Sequence, residues 1–195
     1  ILDSIGIQYK IGVGEAAFYG PKLDIQIKNV FGKEDTLITI QIDQFLAEKF
    51  GMEYTDRDGT KKNPYIIHRT SIGCYERTLA MLIEKYAGAL PTWMAPEQVR
   101  FLPVTERAVD YCKALANNLE MEGYRVTVDA RNEKIGKKIR EGQMEKIPYM
   151  LVVGDRDMEN GTVSPRHRAE GDLGAMDFAD FAKILKEVVD TKAKK

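Results

Sequence analysis

The chain has 195 residues, of which 44% are hydrophobic and 30% charged, a composition typical of a globular protein with one large or two small domains. Lys and Arg number 29 and Asp and Glu 30, so the net charge of -1 excludes a global field that attracts nucleic acid. Two cysteines predict no disulfide framework and a cytoplasmic location. There is no run of about 18 apolar residues to span a membrane and no signal peptide. The start at Ile1 predicts a fragment.

Residues 1 to about 88 predict a mainly antiparallel β structure that is closed by one helix. Apolar and polar side chains alternate over residues 23–28 and again over 38–43, with a turn at 31–35 between them. The polar face of the second segment is either a solvated sheet surface or the floor of a site for a polar substrate. Residues 52–63 are strongly charged and predict a surface hairpin.

The segment from His68 to Arg77 leads from a buried strand through a Gly73-Cys74 turn into an amphipathic helix. Arg77 lies in the first turn of this helix, where its planar, permanently charged guanidinium can contact a phosphate or stack on a base. Helical spacing predicts that one apolar face of the helix is buried. That face consists of Leu79, Leu82, Ile83 and Tyr86.

The second half of the chain predicts a small α/β domain with a mixed sheet. Residues 89–97 contain two prolines and the only Trp and form a candidate linker, so we place the domains at 1–93 and 94–195. Strands and helices then alternate as in a βαβ unit. Strands are predicted at 99–104, 125–128, 149–153 and 162–168, helices at about 105–122, 133–145 and 178–188, and a turn at 154–161. Thr105 is a predicted helix cap, and the Lys-rich tail at 192–195 is predicted to be disordered.

Several side chains could carry chemistry, and each also has a structural interpretation. Lys22 follows a Gly20-Pro21 turn, where its ammonium could hold a phosphate or carboxylate and Tyr19 could offer a hydroxyl; a plain surface turn is the alternative. His68 could bind a metal, but Cys74 and His167 show no zinc-ligand spacing with it. A core histidine is the alternative.

A basic stretch at residues 131–146 carries six basic and three acidic groups. We interpret it as a helix with Asn132 as its N-cap, Ile135 and Ile139 turned inward and the lysines facing out. The helix is either a solvated surface or a face presented to a phosphate backbone, with Asn132 free to reach a base edge. Arg156, Arg166 and Arg168 on the following hairpin would extend this patch.

The whole chain resembles the threonyl-tRNA synthetase family of class II aminoacyl-tRNA synthetases. The matching stretches are 14–22, 41–43, 67–77, 91–93, 130–141 and 148–151. The segment through Arg77 resembles the third class II signature motif. Tyr-Gly-Pro-Lys at 19–22 and Arg-Asn-Glu-Lys-Ile-Gly at 131–136 distinguish this family from prolyl, glycyl and histidyl relatives. The resemblance implies a partial class II antiparallel sheet followed by an α/β anticodon-binding domain with a mixed five-stranded sheet.

The resemblance also implies roles in the catalytic half. Arg77 would pack on ATP, which binds with Mg²⁺, and Lys22 would contact the adenylate region. Tyr19 and Gln41 would help hold L-threonine. His68 would be the third protein ligand of a Zn²⁺ ion that reads threonine, with the other two ligands upstream of this chain. Motifs 1 and 2 of the family would also lie upstream, so we expect the isolated chain to be inactive.

In the second half, the resemblance implies that Asn132, Asp157 and Arg166 read anticodon bases of threonine tRNA, and that the full-length enzyme is a homodimer. Three single residues depart from the family pattern: Cys74 in place of serine, Thr36 in place of glutamine, and Asp157 in place of the longer glutamate. The stretch at 44–47 after Asp43 is also unusual for the family. Two alternatives stay open. One is a non-catalytic RNA-binding module that derives from a synthetase; the other is a prolyl or glycyl relative.

Overall fold

The computed structural model describes residues 1–194, which form two compact units, Ile1–Glu84 and the part of the chain from Lys85 onward. The proline-containing segment at 89–97 belongs to the second unit and is folded, with Pro91, Thr92 and Ala95 buried. The domain boundary between residues 93 and 94 stays a prediction. In the described part of the chain, none of the helices is long and apolar enough to cross a membrane.

The first unit is built on a three-stranded antiparallel sheet in the order β1-β2-β5. Its elements are a 3-10 turn (Asp3–Ile5), β1 (Lys22–Lys28), β2 (Glu34–Asp43), α1 (Leu46–Lys49), β3 (Tyr54–Thr55), β4 (Lys61–Lys62), β5 (Ile66–Arg69) and α2 (Tyr75–Tyr86). The predicted strands and the surface hairpin, formed by β3 and β4, are confirmed. The prediction that the strand before His68 is buried is wrong, because Ile67 on β5 is 67% exposed. One irregularity separates Ile25 from Gln26 in β1 and shifts the register of the β1–β2 pair.

The predicted buried face of α2 is wrong for two of its four residues. Leu79 is 53% exposed and Ile83 47% exposed, whereas the other two are half-buried. No residue of α2 is buried, and Arg77, Ala80 and Met81 line a pocket together with Ile27 and Leu37. Helical spacing reveals an apolar stripe but not whether another element covers it.

The second unit is an α/β fold whose sheet has the order β10-β9-β8-β6-β7, with β11 also paired to β9. Its elements are β6 (Val99–Pro103), α3 (Ala108–Met121), β7 (Val126–Val128), α4 (Ile135–Met144), β8 (Tyr149–Val153), α5 (Asp155–Asn160), β9 (Thr162–His167), β10 (Gly171–Asp172), β11 (Met176–Asp177) and α6 (Phe178–Asp190). The β6–β7 and β6–β8 pairs are parallel and β8–β9 is antiparallel, so the predicted mixed sheet is confirmed with a short sixth strand.

Both faces of this second sheet are covered by helices. On one face, Phe101 and Leu151 pack with Cys112 of α3 and Phe181 of α6 in a core whose thirteen members are all buried. On the other face, Leu102, Ile147 and Met150 pack against partly buried residues of α4. The alternation of inward and outward side chains in β6 and β8 produces these two layers.

Several local predictions in the second unit are corrected. The Thr105 hydroxyl donates to Asp155 Oδ1 at 3.1 Å and does not cap α3, which begins at Ala108. The N-cap of α4 is Lys134, not Asn132. The predicted turn at 154–161 contains the short helix α5, which is too polar to show helical periodicity.

The predicted tail begins at the end of α6. The amides of Lys192 and Ala193 donate to carbonyls of the last helical turn, and Lys195 lies outside the described residues.

Candidate functional site

Three of the predicted site residues form one row across the sheet of the first unit. Lys22 on β1 pairs with Gln41 on β2, and Gln41 pairs in turn with His68 on β5. Residues directly opposite each other in neighbouring strands project from the same face of a sheet. The strand register therefore brings together side chains that are 19 and 27 positions apart in the sequence.

Tyr19 joins this row from the loop before β1. Its hydroxyl donates to Gln41 Oε1 at 2.7 Å, and its ring centroid lies 5.9 Å from that of His68. The loop is held against β2 by the amide of Gln44, which donates to the Tyr19 carbonyl. A Cβ at Gly20 would lie 2.0 Å from the Ile42 carbonyl oxygen, so only glycine allows this close approach.

The Lys22 side chain is hydrogen-bonded to a neighbouring residue of the same strand. Its Nζ donates to Asp24 Oδ2 at 2.6 Å, and this hydrogen bond raises the pKa of Lys22. Burial opposes ionisation of Asp24, but hydrogen bonds from Lys22 and Thr39 outweigh it and keep the pKa of Asp24 below its ordinary value. A phosphate or carboxylate that binds to Lys22 must therefore share the ammonium with Asp24.

His68 contacts a buried carboxylate that the sequence analysis did not select. Its Nε2 lies 2.9 Å from Asp43 Oδ2, and Asp43 is 0% exposed. The other oxygen, Oδ1, accepts the amides of Phe45 and Leu46 at 2.9 and 2.8 Å. Burial opposes ionisation of Asp43, but the Leu46 amide, the His68 ring and the Phe45 amide outweigh it and keep the pKa of Asp43 below its ordinary value.

Within the described part of the chain, His68 can provide one ligand to a metal ion. The residues from 1 to 194 contain no group of three His, Cys, Asp or Glu side chains that could hold a metal ion. The His68 side chain is 43% exposed, and its hydrogen bond leaves one ring nitrogen for another partner. Zinc needs four ligands, so this part of the chain supplies at most a portion of such a site.

Arg77 lies at a different place on the first unit. It lines a pocket between the start of β2 and α2, and its Nη1 donates to the Thr36 carbonyl at 3.4 Å. The Thr36 side chain is bonded to Gln26. Thr36 precedes Gln41 by five residues on β2, which separates the pocket from the polar row by about 17 Å at strand spacing. The Gly73-Cys74 turn passes so close to β2 that a Cβ on Gly73 would meet the Leu37 carbonyl oxygen at 2.4 Å.

In the second unit, Asn132 lies in the loop between β7 and α4. Its side chain is exposed and makes no hydrogen bond within residues 1–194. The loop around it is firmly held, because Arg131 donates two hydrogen bonds to the Asp129 carboxylate and one to Glu141. The first of these bonds is the main reason that the pKa of Asp129 lies below its ordinary value.

Lys138 fixes the same loop from inside, and the prediction that the lysines of α4 face out is wrong for it. It is only 3% exposed, and its Nζ donates to the carbonyls of Pro103 and Asp129 at 3.1 and 2.8 Å. The ammonium thus joins the ends of β6 and β7. The sequence did contain a signal for this burial, because Lys138 lies between Ile135 and Ile139 on one helix face.

Asp157 and Arg166 both carry internal contacts. The Asp157 carboxylate accepts the hydroxyls of Thr162 and Ser164 at 3.1 and 3.3 Å and the amide of Gly154 at 2.9 Å. Arg166 Nη1 lies 2.8 Å from Asp172, while its buried Nε has no hydrogen-bond partner within residues 1–194.

These two residues do not contact Asn132. Ser164 and Arg166 lie two positions apart on β9 and share a face of the sheet, so Asp157 and Arg166 are near neighbours. Asn132 follows β7, which β8 and β6 separate from β9. Three strand spacings correspond to about 14 Å.

Comparison with known proteins agrees with this division of the chain. The class II tRNA synthetase core domain family (G, H, P, S and T) matches residues 1–86, and the anticodon binding domain family matches residues 98–188. Threonine–tRNA ligases of Clostridium perfringens and Clostridium botulinum (strain Eklund 17B) are 59% and 55% identical over 97% and 98% of the chain. The chain spans 30% of the length of each of these relatives.

A solved structure supports the same assignment. The crystal structure of the RNA binding domain of threonyl-tRNA synthetase from Cryptosporidium parvum Iowa II matches with a TM-score of 0.85 and 32% identity. The match covers 96% of this chain and 48% of that one. With a class II core half, an anticodon-binding half and relatives of one specificity over nearly its whole length, the chain belongs to the threonine–tRNA ligase family.

Proposed function

We propose that the chain provides the distal part of the catalytic domain and the anticodon-binding domain of a threonine–tRNA ligase. The full enzyme would join threonine to ATP as an adenylate and then transfer it to threonine tRNA. The observation that carries the proposal is the row of Lys22, Gln41 and His68, with Tyr19 bonded to Gln41. Such a polar face matches an amino-acid substrate that carries an ammonium, a hydroxyl and a carboxylate.

In this proposal, Tyr19 and Gln41 hold threonine by hydrogen bonds. Tyr19 already donates to Gln41, which fixes the direction of the amide and leaves its NH₂ group to donate to the substrate. A site that pairs polar groups of its substrate rejects an isostere without them by about 10⁴-fold or more, because the site's own groups would be left unpaired. Valine is such an isostere of threonine.

Arg77 and Lys22 would act on the nucleotide. Arg77 would stack on ATP in the pocket beside α2, since its guanidinium is planar and stays charged. Lys22 would share its ammonium between Asp24 and the negative charge of the adenylate region. ATP would enter with Mg²⁺, which neutralises phosphate charge. Catalysis of this kind depends on positioning and charge stabilisation, so small displacements of these groups matter.

His68 would be one of three protein ligands of a Zn²⁺ ion. When bound, zinc supplies a Lewis acid that can accept the amino and hydroxyl groups of threonine. The remaining ligands would come from a part of the protein outside this chain, in agreement with the 30% of its relatives' length that the chain spans.

Asn132, Asp157 and Arg166 would read anticodon bases. Asn132 is exposed and unpaired within residues 1–194, so its amide is free to meet a base edge. Arg166 would bring a guanidinium with an unsatisfied Nε. Each good side-chain contact to a base is worth about 1–3 kcal/mol of discrimination, by analogy with duplex readout. Asp157 would need to accept from a base in addition to its three internal donors.

Binding to tRNA tests the anticodon part of this proposal. We expect the chain to bind threonine tRNA transcripts more tightly than transcripts with a changed second anticodon base, at one stated salt concentration. Asn132→Ala should weaken binding to the cognate transcript and reduce that preference. Asn117→Ala, the same change at an exposed position on α3, should alter neither. Equal binding of both transcripts by the unsubstituted chain would contradict the proposal.

A non-catalytic RNA-binding module is the second candidate function. One observation favours it: the large buried apolar core belongs to the anticodon-binding half of the chain. Pyrophosphate exchange with ATP and threonine separates the two candidates. A protein extended to the length of the relatives should catalyse the exchange if it is a ligase, while the present chain should not. A homodimer and a cytoplasmic location stay predictions of the family resemblance.

A further inference from the structure

Asp43 is held in one orientation by the backbone that follows it. Its Oδ1 accepts the amides of Phe45 and Leu46 at the start of α1, and the residue is 0% exposed. A rotation of the carboxylate would break both hydrogen bonds in a place that water does not reach. Oδ2 is therefore fixed at 2.9 Å from His68 Nε2.

This contact determines which nitrogen of His68 carries the proton. A carboxylate only accepts hydrogen bonds, so the Nε2 atom that faces Asp43 must donate. A neutral imidazole has one N–H group, and its other nitrogen then has a free lone pair. In His68 that nitrogen is Nδ1.

The Nδ1 side of the ring is available to a ligand. Within residues 1–194, the His68 side chain makes one hydrogen bond, through Nε2, and 43% of the side chain is exposed. The Tyr19 ring makes a T-shaped contact with the His68 ring, and Gln41 is the neighbour of His68 in the strand register. The lone pair thus belongs to the same polar face as the proposed threonine site.

We propose that Asp43 is a positioning residue that keeps the proton of His68 on Nε2 and so makes Nδ1 the metal-binding atom. The part of this inference that concerns the metal rests on the proposed function. The part that concerns the tautomer rests on the geometry alone. Ligating histidines generally donate their second ring nitrogen to a carboxylate or carbonyl, which fixes ring orientation and tautomer. Asp43 has the position and the hydrogen bonding for this role.

The tautomer can be measured in the present chain without any metal. The chain has only two histidines, so ¹⁵N spectra of the imidazoles contain two sets of signals. His68→Gln removes one set and identifies it. At a pH where both rings are neutral, we expect His68 to be protonated at Nε2. A proton on Nδ1 of His68 in the unsubstituted chain would overturn the proposal.

Asp43→Asn is the sharpest variant. Its Oδ1 must still accept the two backbone amides, so its NH₂ group has to face Nε2 of His68 and donate to it. We expect the proton of His68 to move to Nδ1. The matched control is Asp24→Asn, a carboxylate that bonds to Lys22 and Thr39 and not to His68. An unchanged His68 tautomer in a folded Asp43→Asn chain would contradict the proposal, with amide spectra as the check on folding.

Zinc affinity separates a failure of the inference from a failure of the proposed function. In a protein extended to the length of the relatives, Asp43→Asn should weaken zinc binding by about 10–100-fold, the usual effect of losing such a partner. Asp24→Asn should not change it. Equal zinc affinity with and without Asp43→Asn would overturn the positioning role alone. No zinc binding by the unsubstituted protein would overturn the metal part of the proposed function, while the tautomer result would stand.

Discussion

The two units of this chain differ sharply in how much apolar surface they bury. The second unit has two apolar layers around its sheet, with thirteen buried residues in the larger one. In the described part of the first unit, Ala47 is the one buried apolar residue, and Asp43 is the one buried polar residue. Of the large apolar side chains that are exposed, all but Val104, Met121 and Met144 belong to the first unit.

This difference indicates that the two units depend on their surroundings to different degrees. Contiguous exposed apolar surface marks sites that contact another protein, a membrane or a ligand. A small unit that buries little apolar area gains less free energy to offset the entropy of ordering its chain. The polar row that carries the proposed threonine site thus lies on the less self-sufficient unit, and the proposed anticodon-reading residues lie on the more self-sufficient one.

Separating the two units should have the largest effect on thermal unfolding. We expect residues 85–195 alone to unfold in one cooperative thermal transition, because both faces of their sheet are covered. Residues 1–84 alone should show no cooperative transition. Circular dichroism during heating measures both. A sharp transition in the first fragment would show that its exposed apolar residues are compatible with independent stability.

The two cysteines report on the same contrast, one from each unit. Cys74 is exposed, whereas Cys112 is 0% exposed in the core of the second unit. Burial raises the pKa of the Cys112 thiol to about 12. Since the thiolate is the reactive form, Cys112 should stay protonated and unreactive at pH 8, where Cys74 should react with a maleimide.

Labelling in denaturant serves as the control, because both thiols should then react at similar rates. Counting modified thiols by mass spectrometry over time gives the measurement. Rapid labelling of Cys112 without denaturant would mean that the core of the second unit opens far more readily than its packing indicates.

A matched pair of leucines tests the comparison at single residues. Leu185 on α6 is 0% exposed and Leu79 on α2 is 53% exposed. Leu185→Ala should lower the free energy of unfolding by about 2–5 kcal/mol, because it leaves a cavity in the core. Leu79→Ala should change it by less than about 0.5 kcal/mol. Urea denaturation of the whole chain, followed by far-ultraviolet circular dichroism, measures both. A comparable loss for Leu79→Ala would indicate that this side of α2 is buried in solution.

Much of the fold could be predicted because its signals are local. Alternation over residues 23–28 and 38–43 depends only on neighbouring side chains, and it correctly gave two strands with a polar face. The βαβ pattern likewise gave the mixed sheet of the second unit. The exposure of α2 was not predictable in the same way, because an apolar stripe does not show whether another element packs on it.

The site depended on information that the sequence does not display. The row from Lys22 to His68 requires the register of three strands, and an irregularity after Ile25 alters the β1–β2 pairing. Asp43 and Lys138 were missed for a related reason. Both have charged side chains, and charged residues are rarely buried without a partner. The position of Lys138 between Ile135 and Ile139 does indicate burial, but the partners of both residues are backbone amides or carbonyls and a histidine ring, which no sequence pattern marks.

Lys138 tests how the packing of the second unit supports its proposed anticodon recognition. Lys138→Met keeps much of the side-chain volume but leaves the carbonyls of Pro103 and Asp129 without their donor. Unsatisfied buried acceptors cost about 1–3 kcal/mol, and the loop that carries Asn132 would lose its attachment to β6. We expect a modest loss of stability together with weaker discrimination between threonine tRNA transcripts with the cognate and the changed second anticodon base.

Lys137→Met, an exposed neighbour paired with Glu133, should leave that discrimination intact. If Lys138→Met lowered stability and spared discrimination, the lysine would serve only to hold the fold together.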